Sequence, residues 1–128
     1  MGQRERGRME PRGGRVTAID LLRENGVTFE EDIRGQLRNP DSFFARLERE
    51  GAIVFYLDNG MRIAVYPDFL DELMGKIREL DIEDRDTLAR YLTDKEARLF
   101  NALVEAGIIY YDALTKQWMI HEKYLGEK

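Results

Sequence analysis

The 128-residue chain contains no cysteine, which excludes disulfides, thiolate nucleophiles and sulfur-ligated metals together. It has one histidine, His121, and one serine, Ser42. No histidine pair can therefore hold zinc, and a Ser-His-Asp arrangement could use only these two, which fall in different parts of the chain. His121 reads more simply as a strand-end packing residue. A glycine-rich phosphate loop is also missing. These absences point to a protein that is not an enzyme and carries no cofactor or metal. No apolar run approaches the ~20 residues of a membrane span. The first fifteen residues lack the apolar core of a signal peptide, so the expected location is the cytoplasm, away from membranes.

What is present is hydrophobic at 43% and charged at 35%, the balance of a soluble globular protein. Arg and Glu are abundant while Cys, Ser and Gln are scarce, a bias associated with proteins of hot environments. The net charge of −5 is unevenly spread. Residues 1–50 hold ten Arg against ten acids, and residues 51–128 hold ten basic residues against fifteen acids. The acidic second half is an awkward binder of phosphate. Residues 1–15 carry five arginines, Arg4, Arg6, Arg8, Arg12 and Arg15, with glycines, a proline and little to bury. They read as a flexible basic arm.

Residues 20–70 and 75–125 are two versions of one pattern. Leu22-Arg23-Glu24 returns as Ile77-Arg78-Glu79, Val27 as Ile82, Ile33 as Leu88 and Leu37 as Leu92. Phe44-x-x-Leu47-x-x-x-Gly51-x-Ile53 returns as Phe100-x-x-Leu103-x-x-x-Gly107-x-Ile109, and Phe69-Leu70 as Tyr124-Leu125. Units of about 55 residues are marginal alone, so the two should share a core. The division expected is an arm at 1–15, a first unit at 16–67 and a second at 68–128.

Local signals place the elements. Thr17 caps a helix over Ala18–Asn25, with Gly26 as its stop. Thr28 with Glu31 reads as a capping box for a second helix, in which Ile33 and Leu37 point inward. Asn39-Pro40 opens a third, which buries Phe44 and Leu47 and ends at Gly51. AIVFYL and MRIAVY then flank Asp58-Asn59-Gly60, a strong hairpin signal. In the second copy, helices are expected over 68–80, 84–92 and, from the Thr93/Glu96 box, up to Ala106. A hairpin of 108–112 and 116–121 follows, and 122–125 can turn back as a short helix. The fold class is mainly α with small β-hairpins, an α+β chain of two pseudo-repeats.

Three helices followed by a hairpin, with the third helix ending Leu-Glu-Arg-Glu-Gly-Ala-Ile, resembles the winged helix-turn-helix family in two tandem copies. The stretch TFEEDIRGQLRNPDSFFARLEREGAI, from Thr28 to Ile53, is similar to that family's positioning helix, turn and recognition helix. In DNA-binding members the third helix enters the major groove. The resemblance then implies double-stranded DNA as partner, a transcription-associated role, and contacts from Ser42, Ala45, Arg46 and Arg49 in the first copy. In the second it implies Lys95, Arg98, Asn101 and Ala102. Hairpin contacts would come from Arg62 beside Asp58-Asn59-Gly60 and from Lys116 between Thr115 and Gln117. The basic arm could lie along phosphates or enter a minor groove.

Other readings of the same residues remain open. Asp94 with Arg98 and Arg46 with Glu50 are i, i+4 pairs suited to a solvent-facing helix. The acidic run Glu79, Asp81, Glu83, Asp84 and Asp86 reads as capping and dipole placement, or as a docking patch for a basic partner. It lacks the spacing of an oxygen-ligand loop for Mg²⁺ or Ca²⁺. Pairing about Asn59-Gly60 puts Ile53, Phe55, Leu57, Ala64 and Tyr66 on one face and Val54, Tyr56, Met61, Ile63 and Val65 on the other. Both faces are apolar, so this hairpin should be covered on both sides, by its own helices and by the second copy or another subunit. The second hairpin, with Tyr110, Tyr111, Trp118, Met119 and Ile120, has similar character. Apolar hairpins and net negative charge favour an alternative function, a non-catalytic protein-interaction or scaffold module, with a homodimer or another protein as partner. The same tandem fold serves in this way in chromosome-condensation and membrane-remodelling complexes.

Overall fold

The structure, a computed structural model, describes residues 17–121. Over these residues the chain is an α+β fold with six α-helices and two small antiparallel sheets. Its elements are α1 (Ala18–Asn25), β1 (Val27–Phe29), α2 (Glu30–Ile33), α3 (Pro40–Arg49), β2 (Ile53–Tyr56), β3 (Arg62–Val65), α4 (Pro67–Leu80), α5 (Arg85–Ala89), α6 (Asp94–Glu105), β4 (Ile109–Asp112) and β5 (Gln117–Ile120). A 3₁₀ turn, Arg34–Gln36, extends α2. No helix among the described residues is long and apolar enough to cross a membrane. The basic arm and the expected helix at 122–125 lie outside the described residues.

Helix starts follow the chemistry of their caps. The Thr17 hydroxyl accepts from the Asp20 N–H while the Asp20 carboxylate accepts from the Thr17 N–H, closing a capping box on α1. Asn39 Oδ1 accepts from the Ser42 N–H and Pro40 fills the first turn of α3. Thr93 and Glu96 close a second box on α6. The Thr28/Glu31 box does not form. Thr28 sits in β1 opposite Ala64, and α2 begins after it at Glu30 with no side-chain cap. The reason is non-local: β3 offers Val27 and Phe29 a ladder partner and a buried face, which outweighs one capping bond.

The first sheet has strand order β1-β3-β2. Its register pairs Ile53 with Val65, Val54 with Ala64 and Phe55 with Ile63. This corrects the face assignment from the sequence, because β3 is shifted by one residue and its side chains change sides. The cause is the turn. Leu57 donates to the Met61 carbonyl at 2.9 Å across three residues, with Gly60 at φ +84°, where two loop residues were expected.

Both faces of this sheet are nevertheless covered. Val54 and Ala64 join Leu22, Phe44, Leu47 and Ala52 in a small core with α1 and α3. On the opposite face Val27, Phe29, Phe55, Ile63 and Val65 join a larger core with Leu70, Leu73 and Ile77 of α4, Leu88 of α5, and Leu99, Phe100 and Leu103 of α6. The same core takes in Ile109, Trp118 and Ile120 of the second hairpin. Phe55 is fully buried, and burying a side chain of this kind stabilises by roughly 1.5–3 kcal/mol. The expectation of a shared core is met by this sheet.

The order helix, short helix, helix, hairpin occurs twice, and the bond that closes the turn out of the third helix recurs. Ala52 donates to the Leu47 carbonyl and Ile108 to the Leu103 carbonyl, each at 2.9 Å. β1 has no counterpart among the described residues of the second half. At the matching position the Ile82 carbonyl instead accepts from the Trp118 indole N–H at 2.9 Å.

Gly26 closes the junction between α1, β3 and α4. It has φ +89°, its carbonyl accepts from the Tyr66 N–H at 2.8 Å, and a Cβ placed there would lie 2.2 Å from Phe69 Cδ1. Gly26→Ala should therefore destabilise by about 3 kcal/mol or more in urea unfolding. Gly60→Ala, at φ +84° but in open space, should cost only about 1 kcal/mol. Equal effects of the two substitutions would contradict the close approach of Phe69.

Candidate nucleic-acid interface

The residues assigned to DNA contact divide sharply once placed. In α3, Phe44 and Leu47 are buried, while Ser42, Ala45, Arg46 and Arg49 are all exposed. Their spacing of three and four puts these four in one stripe, opposite the buried face. Asp41 and Glu48 fall on one flank of the stripe and Glu50 on the other. Arg46 Nε lies 3.3 Å from Glu50 Oε2 at the helix end. Arg49 pairs with no carboxylate among the described residues.

Arg62 lies elsewhere. Its Nε donates to Glu30 Oε1 at 2.9 Å and its Nη2 to Oε2 at 3.0 Å, while its backbone N–H also donates to Oε1 at 2.9 Å. Nη1 reaches Asp41 Oδ1 at 2.9 Å, and the guanidinium sits over the Phe44 ring at 5.0 Å. Glu30 is 1% exposed and the Arg62 side chain 13%. A single cation thus ties β3 to α2 and to the first turn of α3, and its charge is answered by two carboxylates. The hydrogen bonds from Arg62 hold the Glu30 carboxyl below its usual range against the opposing effect of burial, and Glu30 in turn holds the Arg62 guanidinium above its ordinary value. This fork was invisible in the sequence, since Glu30 and Arg62 stand 32 residues apart.

In the second half Lys95, Arg98 and Asn101 are tied to other parts of the chain, although Lys95 and Arg98 remain exposed. Arg98 grips Asp32 with both nitrogens, Nη1 to Oδ2 at 2.8 Å and Nη2 to Oδ1 at 2.9 Å. It also lies 3.5 Å from Glu31 and stacks 3.9 Å above the centre of the Phe29 ring. Asp32 is held below the usual carboxylate range by the hydrogen bonds from Arg98. Lys95 Nζ donates at 2.8 Å to the Asn25 carbonyl, at the end of α1, where a cation meets the negative end of the helix dipole. Asn101 Oδ1 accepts from Arg85 Nε at 2.9 Å, and Arg85 also reaches Glu105 at 3.0 Å. Ala102 is half-buried against the larger core. Lys116 is exposed at the tip of the second hairpin. The arm arginines, Arg4, Arg6, Arg8, Arg12 and Arg15, lie outside the described residues.

Asp84 caps α5 by accepting from both the N–H and the hydroxyl of Thr87, which holds its carboxyl below the usual range. No group of acids or His among the described residues could hold a metal ion. Ser42 opens α3 in the first half, whereas His121 lies against the Tyr110 ring, 4.9 Å between centres, in the second. Among known proteins, the chain matches no family model, no curated protein and no solved structure.

The Glu30–Arg62 fork sets an acid limit on stability. Because the folded-state pKa of Glu30 is lowered, its contribution is complete above the unfolded value of about 4.3 and is lost as pH falls through the lower folded value. Glu30→Gln should cost about 3 kcal/mol at neutral pH, the low end for a broken buried pair because Arg62 keeps Asp41. It should also flatten the fall of unfolding free energy below about pH 4.3. An acid limb identical to the parent's would show that Glu30 is not ionised and paired in the folded state.

Proposed function

We propose that the chain is a tandem winged-helix protein that binds duplex DNA without catalysis, as a transcription-associated factor, through α3 of its first unit. The fold part of this reading is supported by element order. Helix, strand, helix, helix and hairpin, with the first strand pairing the last in the order β1-β3-β2, is the arrangement expected of a winged helix-turn-helix unit. The second half repeats it without its first strand.

The functional part rests on one observation, the exposed stripe Ser42, Ala45, Arg46 and Arg49. Ser42 and Ala45 are small and leave room for the helix to sit deep in a groove. The two arginines supply positive charge on the line that would face the DNA, and the acids of α3 lie to its sides. The arm arginines would extend contact along the backbone. A net charge of −5 does not prevent this, because binding responds to the local field of the contact face.

The second reading, a protein-interaction module, is favoured by the outer face of the second hairpin. There Tyr110 is 40% exposed beside half-buried Met119. An aromatic flanked by a flexible thioether is a suitable anchor for a protein partner or a second copy of the chain.

Fluorescence anisotropy with a mixed-sequence DNA duplex separates the two. With about four phosphate contacts, affinity should fall about a hundredfold between about 50 and 200 mM salt. Replacing Arg46 and Arg49 together by Ala should weaken binding and make that salt dependence shallower. Absence of binding at the lowest salt would sink the DNA reading and leave the protein-docking one.

A further inference from the structure

The two third helices are equivalent by sequence and differ in how they are tied: Arg46 of α3 pairs only with Glu50 at the end of its own helix, whereas the matching positions of α6, of which Arg98 and Glu105 remain exposed, are held by other elements. At the 56-residue offset that aligns Phe44 with Phe100, the stripe Ser42, Ala45, Arg46 and Arg49 corresponds to Arg98, Asn101, Ala102 and Glu105. All four positions are exposed on α3. On α6 each one is engaged within the chain: Arg98 by Asp32, Asn101 and Glu105 by Arg85, and Ala102 by the core. Lys95 is drawn to the Asn25 carbonyl as well.

We propose that the chain is a single-reader protein. In it, α3 alone reads one short block of duplex DNA, with Arg49 directed at a guanine, and α6 serves as the strut that fixes the second unit to the first. This rests on the DNA reading above and goes beyond it by assigning the two copies different tasks. To enter a groove, α6 would have to break the bidentate Arg98–Asp32 contact, unstack Arg98 from Phe29 and uncover half-buried Ala102. Glu31, Asp32 and Glu105 beside that face would also meet the phosphates with negative charge.

Within α3 the two arginines differ. Arg46 is turned toward Glu50 at 3.3 Å, which leaves it suited to a backbone contact. Arg49 is exposed and has no carboxylate partner among the described residues, and a free guanidinium in a major groove finds its best geometry on O6 and N7 of guanine. Reading by one helix predicts a recognition element of only a few base pairs. Two reading units would give two blocks about one helical turn apart.

Selection from a random-sequence duplex pool by the full chain, at low salt and with sequencing of the retained DNA, tests this directly. The expected product is one short block containing a guanine, whose preference over other bases falls about five- to a hundredfold in Arg49→Ala. Two blocks a turn apart, a block without guanine, or a guanine preference unchanged in Arg49→Ala would overturn the single-reader assignment while leaving DNA binding intact. Retention of the starting pool with no enrichment would overturn it too. Failure to retain the starting pool at all would overturn the DNA reading and this inference with it.

Discussion

The constraint on which the rest of this structure depends is that the three-stranded sheet is buried on both faces. A hairpin that projects freely alternates apolar and polar residues, and this one does not. Its strands direct Val54 and Ala64 into one core and Phe55, Ile63 and Val65 into another. Neither half can close its core without the sheet, because the larger cluster mixes residues of β1, β2 and β3 with those of α4, α5 and α6. Units of about 55 residues are marginal alone, and a shared sheet adds to the surface that each can bury. It also removes one device of the proposed fold from use, since the wing is occupied on both sides as packing material. Its tip, Asp58-Asn59-Gly60, and Tyr56 at the end of β2 remain exposed, and none of these carries a cation.

Polar contacts then fix the orientation that apolar packing allows. The Arg98–Asp32 pair is half-exposed on both sides, so it contributes about 1 kcal/mol or less. Its fork geometry and its place over Phe29 nevertheless select one angle between α6 and the first half. The Glu30–Arg62 fork works at depth and within the first half, joining β3 to α2 and α3. With both forks formed, the exposed cations of the α3 stripe are Arg46 and Arg49, and Arg34 and Arg38 are exposed just before that helix.

How much of this was legible in the sequence follows from how far apart the deciding residues lie. Thr17, Asn39-Pro40 and Thr93-Glu96 act within one helical turn, and α1, α3 and α6 begin where those residues place them. The double covering of the first sheet could be read from its two apolar faces even though the register was off by one. That error came from a local ambiguity, since Asn-Gly suits both a two-residue turn and the three-residue turn that forms. Val27-Thr28-Phe29 is too short to declare a strand without β3 beside it, and Thr28 was read as a cap instead. The engagement of Arg62 and Arg98 was out of reach. Their partners stand 32 and 66 residues away, and a lone sequence gives no sign of which cations are spent internally and which are left for a ligand.

Native-state hydrogen exchange across a denaturant series tests the central claim most directly. If the doubly covered sheet makes both halves one cooperative body, the amides of Ile63, Ala64 and Val65 will exchange only by global opening. Those of α3 and α6 will then converge on the same opening free energy as denaturant rises. Amides of α4, α5 and α6 that stay protected under conditions where β1, β2 and β3 have already exchanged would show that the second half holds itself together, and would contradict the account.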